Sequence, residues 1–205
     1  MPRQVIIENP ILNSPFDEPT RHFKFTEDGI TDETVEARRV SAYFVPVPQP
    51  RKRGRTQSLF DTEWTRDRLK ENTFINEVRS RVNTWRARGH PGITRTSARL
   101  LGYWTNPQRE RRLFFCQVEA AETAIYITEA ASESGDRWIE NQLREENDRY
   151  NPSLYRIALK MATGSGKTIL MSMLIAWQAL NKFANPQDAR TTFCAAAILA
   201  LANSR

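Results

Sequence analysis

A glycine-rich segment at residues 161–168, MATGSGKT, constrains the fold of this chain more than any other feature. Its two glycines allow the backbone to wrap closely around an anion, at dihedral angles that other residues rarely adopt. The apolar run before it predicts a buried strand at 154–161, and the periodic apolar residues after it predict a helix over 167–180. A strand, a glycine-rich turn and a helix in this order are typical of a phosphate-binding loop.

The loop residues have distinct expected roles. Backbone N–H groups and the N-terminus of the following helix face the anion. Lys167 is placed to reach the β- and γ-phosphates of a nucleotide, and the Thr168 hydroxyl suits Mg²⁺. Met161 stands where the general pattern has glycine, and a chance glycine turn before a helix is the alternative that predicts no ligand. The residues predicted to bind nucleotide in this loop are Thr163, Gly164, Ser165, Gly166, Lys167 and Thr168.

The net charge of +6 is concentrated in one internal segment. Residues 1–50 carry 5 Lys/Arg and 8 Asp/Glu, residues 51–112 carry 16 and 6, and residues 113–205 carry 9 and 10. The middle segment therefore has a balance of +10 (16 − 6). Such a segment fits contact with a polyanion such as nucleic acid, and it equally fits a solvent-exposed helical surface rich in arginine.

Turn signals and periodicity divide the chain into three predicted regions: residues 1–50, 51–112 and 113–205. The first region is β-rich or irregular, with β-prone runs at 5–7 and 40–47. The second contains RKRGR at 51–55, read as a linker or a DNA-contact loop, and then a helical hairpin with one basic face. The predicted helices cover 62–89, 93–103, 117–131 and 138–147.

The first of these helices is predicted to end at the Gly-His-Pro-Gly turn of residues 89–92, where His90 is interpreted as structural. The two cysteines predict neither a disulfide framework nor a zinc site. The first 30 residues lack the apolar core of a signal peptide, and the apolar runs are too short to span a bilayer. We therefore expect a cytoplasmic protein without a membrane partner.

MATGSGKT resembles the first motif of DEAD/DEAH-box superfamily-two helicases, particularly the motor subunits of type I and type III restriction endonucleases. RLFFCQ at 112–117 resembles the glutamine motif that these motors place upstream of the loop, and the segment 8–19, ENPILNSPFDEP, resembles the start of one restriction-subunit family. The family's glutamine reads the adenine edge, which a side-chain amide matches with one donor and one acceptor. The resemblance gives this role to Gln117; an ordinary polar residue at the start of a helix is the alternative.

The resemblance implies an α/β fold: the start of a P-loop RecA-like domain with a truncated parallel sheet, preceded by a mixed, largely helical extension. It implies ATP and Mg²⁺ as cofactors, and DNA together with modification or specificity subunits as partners. The family's acidic DExH motif should follow on a later strand. After Thr168 this chain has one carboxylate, Asp188, in a predicted loop. No catalytic set is therefore complete, and the sequence leaves enzymatic activity open.

The last residues, TTFCAAAILALANSR at 191–205, favour a helix where the family has a strand. We interpret them as a premature, frame-shifted end; a genuine terminal helix is the alternative. Three functions stay open. The first is a truncated ATP-binding portion of a helicase- or translocase-type restriction subunit, with weak or no nucleotide binding and no turnover. The second is a non-enzymatic nucleic-acid-binding module built on 51–112. The third is the inert product of a decayed gene.

Overall fold

The computed structural model describes residues 7, 9–26, 29–44, 69–150, 152 and 155–191. The chain divides into two compact units, Met1–Glu77 and Val78–Arg205. About half of the described residues are helical, and the strands form two sheets of two strands each. The fold is therefore mixed α and β, as the sequence predicts at the level of class. The division falls inside the segment 51–112 that was predicted to form one region.

The first unit contains the strands. Strand β1 (His22–Thr26) pairs antiparallel with β2 (Gly29–Val35), and β3 (Ala42–Phe44) pairs antiparallel with β4 (Leu69–Glu71). These pairs confirm β structure in the first 50 residues, although β3 covers only part of the predicted run at 40–47 and residues 45–47 lie outside the described ones. Among the described side chains of this unit, none is buried.

The second unit is helical. Helix α1 (Thr73–Ala87) begins in the first unit and continues into the second. It is followed by α2 (Arg95–Trp104), α3 (Phe115–Ile125), a π-helical turn (Tyr126–Ala130), α4 (Arg137–Tyr150) and α5 (Lys167–Ala184). The helices predicted at 93–103, 117–131, 138–147 and 167–180 are confirmed to within a few residues.

The first predicted helix, over 62–89, is confirmed only in part. Residues 69–71 form β4, because their backbone groups find partners in β3, and residues 62–68 lie outside the described ones. Its predicted end is confirmed: α1 stops at Ala87, and Gly89, His90 and Gly92 follow with φ of 78°, 59° and 81°. Thr94 then caps α2 by accepting the Ser97 N–H at 3.1 Å.

Helices α2, α3 and α5 pack on one another in the core of the second unit, and α1, the π-helical turn and α4 add buried side chains to it. Each helix contributes an apolar face, and burying one large apolar side chain stabilises a fold by about 1.5–3 kcal/mol. This packing holds the beginning of α5 beside the beginning of α3. The buried residues include Val78, Val82, Trp85, Leu101, Trp104, Ala121, Ala124, Ile125, Tyr126, Ile139, Leu170, Met173 and Trp177.

Two predictions about the sheet are not met. Residues 155–162 belong to no strand, and Arg156 and Lys160 are exposed, so the buried strand predicted at 154–161 is wrong over its described part. All strand pairs among the described residues are antiparallel, so none of them starts the predicted parallel sheet. The physical reason is that a strand needs neighbouring backbone groups to bond with. Where the second unit is described, it offers 155–162 only helices.

Three further predictions, on residues 5–6, 51–55 and 192–205, fall outside the described part of the chain. Within that part, no helix combines the length and the apolar character needed to cross a membrane.

Candidate phosphate-binding loop

Residues 161–168 form a turn that leads directly into α5. Gly164 (φ 79°) and Gly166 (φ 76°, ψ 43°) both adopt the left-handed conformation, and Gly166 is the N-cap of the helix. The Ser165 hydroxyl donates to the Ala162 carbonyl at 2.6 Å, which closes the turn. A Cβ at Gly164 would meet no atom within 4 Å, whereas a Cβ at Gly166 would lie 2.2 Å from Nε2 of Gln117. Gly166 is therefore required for both its conformation and its space.

The backbone N–H groups of this turn are available to a ligand. Those of Gly164, Gly166, Lys167 and Thr168 have no acceptor among the described residues, whereas the Ile169 N–H donates to the Gly166 carbonyl at 2.9 Å. The first N–H groups of a helix carry partial positive charge and have no partner within the helix. Three such groups at the start of an 18-residue helix, with the Gly164 N–H in the turn before it, suit an anion such as phosphate.

Lys167 and Thr168 are both exposed. The Lys167 ammonium donates to the carbonyls of Ala162 at 3.0 Å and Met161 at 3.3 Å, which places its charge over the entrance of the turn. The described residues hold no group of three or more His, Cys, Asp or Glu side chains that could bind a metal ion. Mg²⁺ held by the Thr168 hydroxyl would take further ligands from phosphate and water.

Gln117 contacts this turn across 48 residues of sequence. Its side chain is 2% exposed; Oε1 accepts the Phe114 N–H at 3.0 Å, and Nε2 donates to the Ser165 carbonyl at 3.0 Å. The structure thus brings together two of the three segments that carry the family resemblance, 112–117 and 161–168. The amide that the resemblance assigns to adenine is bonded here to backbone groups.

An ion-pair cluster lies further along α3. The Glu122 carboxylate is buried, accepts from the Arg86 guanidinium at 2.6 Å and 2.8 Å, and lies 2.9 Å from the His90 Nε2. Burial raises the pKa of Glu122, but hydrogen bonds from His90 and Arg86 outweigh burial and hold this pKa below its ordinary value. The His90 ring also packs edge-on against Trp85. These contacts agree with the structural interpretation of His90.

A second polar network lies around Glu129, in the π-helical turn. Its buried carboxylate accepts from the Thr94 N–H at 2.8 Å, the Ser97 hydroxyl at 2.6 Å and the Trp177 indole N–H at 2.8 Å. Asn181 joins the network by donating to the Ser97 hydroxyl at 3.1 Å. Sequence reasoning missed this network. Its one local signal is a polar Asn181 four residues after Trp177, on the buried face of α5.

Asp188 lies in the turn after α5 and is bonded to Arg190. The Arg190 guanidinium donates to it at 2.8 Å and the Arg190 backbone N–H at 2.9 Å. These hydrogen bonds lower the pKa of Asp188 to about 2. The carboxylate is thus engaged by Arg190.

No family model matches the chain, and its comparison with curated proteins and with solved structures finds no match. The function is therefore argued from the chain's own residues.

Proposed function

We propose that this chain binds ATP with Mg²⁺ through residues 161–168, as the ATP-binding part of a helicase- or translocase-type restriction subunit. The observation that carries the proposal is that the backbone N–H groups of Gly164, Gly166, Lys167 and Thr168, beside the Lys167 ammonium, have no acceptor among the described residues. Backbone donors at a helix N-terminus and a lysine together match the oxygens of a triphosphate. The glutamine segment at 112–117 precedes the loop at 161–168, as in the family that the chain resembles. We therefore extend the proposal to the start of a RecA-like domain.

The side chains of the loop would act as follows. Lys167 is exposed and flexible, so its ammonium can exchange the carbonyls of Ala162 and Met161 for phosphate oxygens. The Thr168 hydroxyl would hold Mg²⁺, which neutralises charge on the phosphates when bound. Glycine at 164 and 166 lets the backbone adopt the left-handed conformation that this turn requires.

We propose binding without turnover. Hydrolysis of ATP needs a positioned water and stabilisation of the charge that develops on the transferred phosphoryl group. The sequence after Thr168 offers one carboxylate, Asp188, and Arg190 engages it. ATP hydrolysis by the purified chain that Lys167→Ala abolishes would contradict this part of the proposal.

Calorimetric titration of the full chain with ATP and Mg²⁺ tests the binding. Lys167→Ala removes a charge-assisted contact worth about 1.5–3 kcal/mol, so we expect roughly 10- to 100-fold weaker binding. The matched control is Lys160→Ala, an exposed lysine just before the loop, which should leave affinity unchanged. If the wild-type chain shows no heat of binding with millimolar ATP, or if both variants behave alike, the proposal is wrong.

A second candidate function is nucleic-acid binding by the basic segment 51–112. It is favoured by six exposed arginines in the described part of that segment: Arg81, Arg88, Arg95, Arg99, Arg111 and Arg112. Stacking of bases on Trp85 or Trp104 is not favoured, because both are buried.

DNA titrations over a range of salt concentrations test this second candidate. Each phosphate contact contributes about −0.9 to the slope of log affinity against log salt. Replacing Arg95 and Arg99 of α2 together by alanine should reduce the slope by about two if both contact phosphate. The control replaces Arg137 and Arg149 of α4, outside the segment. Affinity that does not depend on salt would remove this candidate.

A further inference from the structure

We propose that Gln117 is a positioning residue of the phosphate loop, which orients the peptide between Ser165 and Gly166, and that it does not read the nucleotide base. This inference rests on the proposed ATP binding. It assigns to the residue a role that is independent of the base, because the contacts of its amide are with backbone atoms.

Both polar atoms of the Gln117 amide are hydrogen-bonded to backbone groups. Oε1 accepts the Phe114 N–H at 3.0 Å, as the N3 residue of a helix capping box does, and so helps to fix the beginning of α3. Nε2 donates to the Ser165 carbonyl at 3.0 Å and lies 3.5 Å from the Gly166 carbonyl. The side chain is 2% exposed. To reach a base, the amide would have to break both of these hydrogen bonds, which costs free energy.

The hydrogen bond from Gln117 also fixes the orientation of the peptide between Ser165 and Gly166. The Ser165 carbonyl and the Gly166 N–H belong to one planar, trans peptide unit, so they point in opposite directions. Because Gln117 fixes the carbonyl toward α3, the Gly166 N–H points away from α3. This N–H is one of the four without an acceptor among the described residues. By holding the Ser165 carbonyl, Gln117 thus orients the Gly166 N–H on the opposite side of the same peptide, where it can bind phosphate.

The Gln117 amide also fills the space beside residue 166. Nε2 of Gln117 occupies the position where a side chain at residue 166 would begin, 2.2 Å from an ideal Cβ. The absence of a side chain at Gly166 therefore leaves room for the Gln117 amide. The Gln117 amide in turn hydrogen-bonds the Ser165–Gly166 peptide. This pairing is a property of the loop backbone, so its effect should be the same for any ligand that presents phosphates.

The test is calorimetry with three ligands, each with Mg²⁺: ATP, 7-deaza-ATP, which lacks the N7 acceptor of adenine, and inorganic tripolyphosphate. Gln117→Met keeps the side-chain length and removes both hydrogen bonds. We expect it to weaken all three ligands by one common factor, roughly 5- to 30-fold. The wild-type chain should bind ATP and 7-deaza-ATP equally. Gln108→Met, at an exposed glutamine after α2, is the matched control and should change nothing.

Several outcomes overturn the proposal. They are weaker ATP binding with unchanged tripolyphosphate binding, unchanged affinity for every ligand, and a wild-type preference for ATP over 7-deaza-ATP that Gln117→Met abolishes. If Gln117→Met does not fold, Gln117→Asn, whose amide is too short for both contacts, replaces it in the same titrations.

Hydrogen exchange of the ligand-free chain separates this inference from the proposed function. Gln117→Met should accelerate exchange at residues 163–168 and leave Arg95–Trp104 unchanged. Such a result in a chain that binds none of the three ligands would refute ATP binding and keep the positioning role. Unchanged exchange in the loop would refute the positioning role itself.

Discussion

Two hydrogen-bonded ties connect α3 and the π-helical turn after it with α5 and the loop before it, and the two ties differ in kind. The loop tie is the hydrogen bond from the Gln117 amide to the Ser165 carbonyl, just before α5 begins. The far tie, three turns later, is the bond from the Trp177 indole to the Glu129 carboxylate, which also accepts from Thr94 and Ser97. The loop tie joins two neutral groups, whereas the far tie has a buried carboxylate with three donors.

The two ties therefore have different roles, one at the start of α5 and the other within it. Hydrogen bonds to an ionised acceptor are roughly twice as strong as those between neutral groups. The far tie therefore anchors α5 in the fold, while the loop tie orients one peptide at the edge of the candidate site. Segments that bind ligands belong to the less stable parts of a protein. Substitutions at the far tie should change folding, and those at the loop tie should change ligand binding first.

The largest effect is expected from breaking the far tie with Glu129→Ala. The part-buried Thr94 N–H and the buried Ser97 hydroxyl would lose an acceptor, whereas the Trp177 indole N–H would keep the Ser97 hydroxyl, which lies at 3.0 Å. Each unsatisfied buried donor costs about 1–3 kcal/mol, so we expect a loss of about 2 kcal/mol or more in the free energy of unfolding by urea. The exposed Glu133→Ala is the control and should stay within about 0.5 kcal/mol. A loss below about 1 kcal/mol for Glu129→Ala would mean that this tie does not anchor α5.

A smaller effect is expected at the loop tie, where two glycines offer a matched pair. Both have left-handed φ, which costs a residue with a Cβ about 1–2 kcal/mol. Gly164→Ala should lower stability by that conformational cost alone, because a Cβ there meets no atom of the chain within 4 Å. Gly166→Ala should cost more and also weaken ATP binding, because its Cβ would displace the Gln117 amide. Urea denaturation and calorimetry measure both quantities, and equal effects of the two variants would argue against the loop tie.

The smallest effect concerns Glu122, between the two ties on α3. Since Arg86 and His90 hold its pKa below the ordinary value of 4.5, its stabilising contribution is complete above pH 4.5 and declines as the pH falls toward the lowered pKa. Glu122→Gln should therefore be less stable than the wild type above pH 4.5, with a gap that narrows in acid. Thermal unfolding between pH 6 and pH 3 measures this gap. The exposed Glu145→Gln is the control, and a gap for Glu122→Gln that stays constant in acid would contradict the ion-pair assignment.

Much of the helical fold follows from local patterns in the sequence. Apolar periodicity located α2, α3, α4 and α5, and the Gly-His-Pro-Gly turn correctly ended α1. Prediction failed where backbone partners decide the structure: residues 69–71 joined a strand because β3 lies beside them, and residues 155–162 formed none where the described neighbours are helices. Hydrogen bonding between distant segments leaves no periodic signal.

The same division applies to the candidate site. By itself the sequence determined the glycine turn, the lysine and threonine at its end and the helix that follows, because these depend on dihedral preferences and spacing within eight neighbouring residues. Only the tertiary structure decided that the Gln117 amide is bonded to the Ser165–Gly166 peptide and that Glu129 anchors α5. These contacts join residues 48 positions apart, and whether two such side chains meet depends on how whole helices pack.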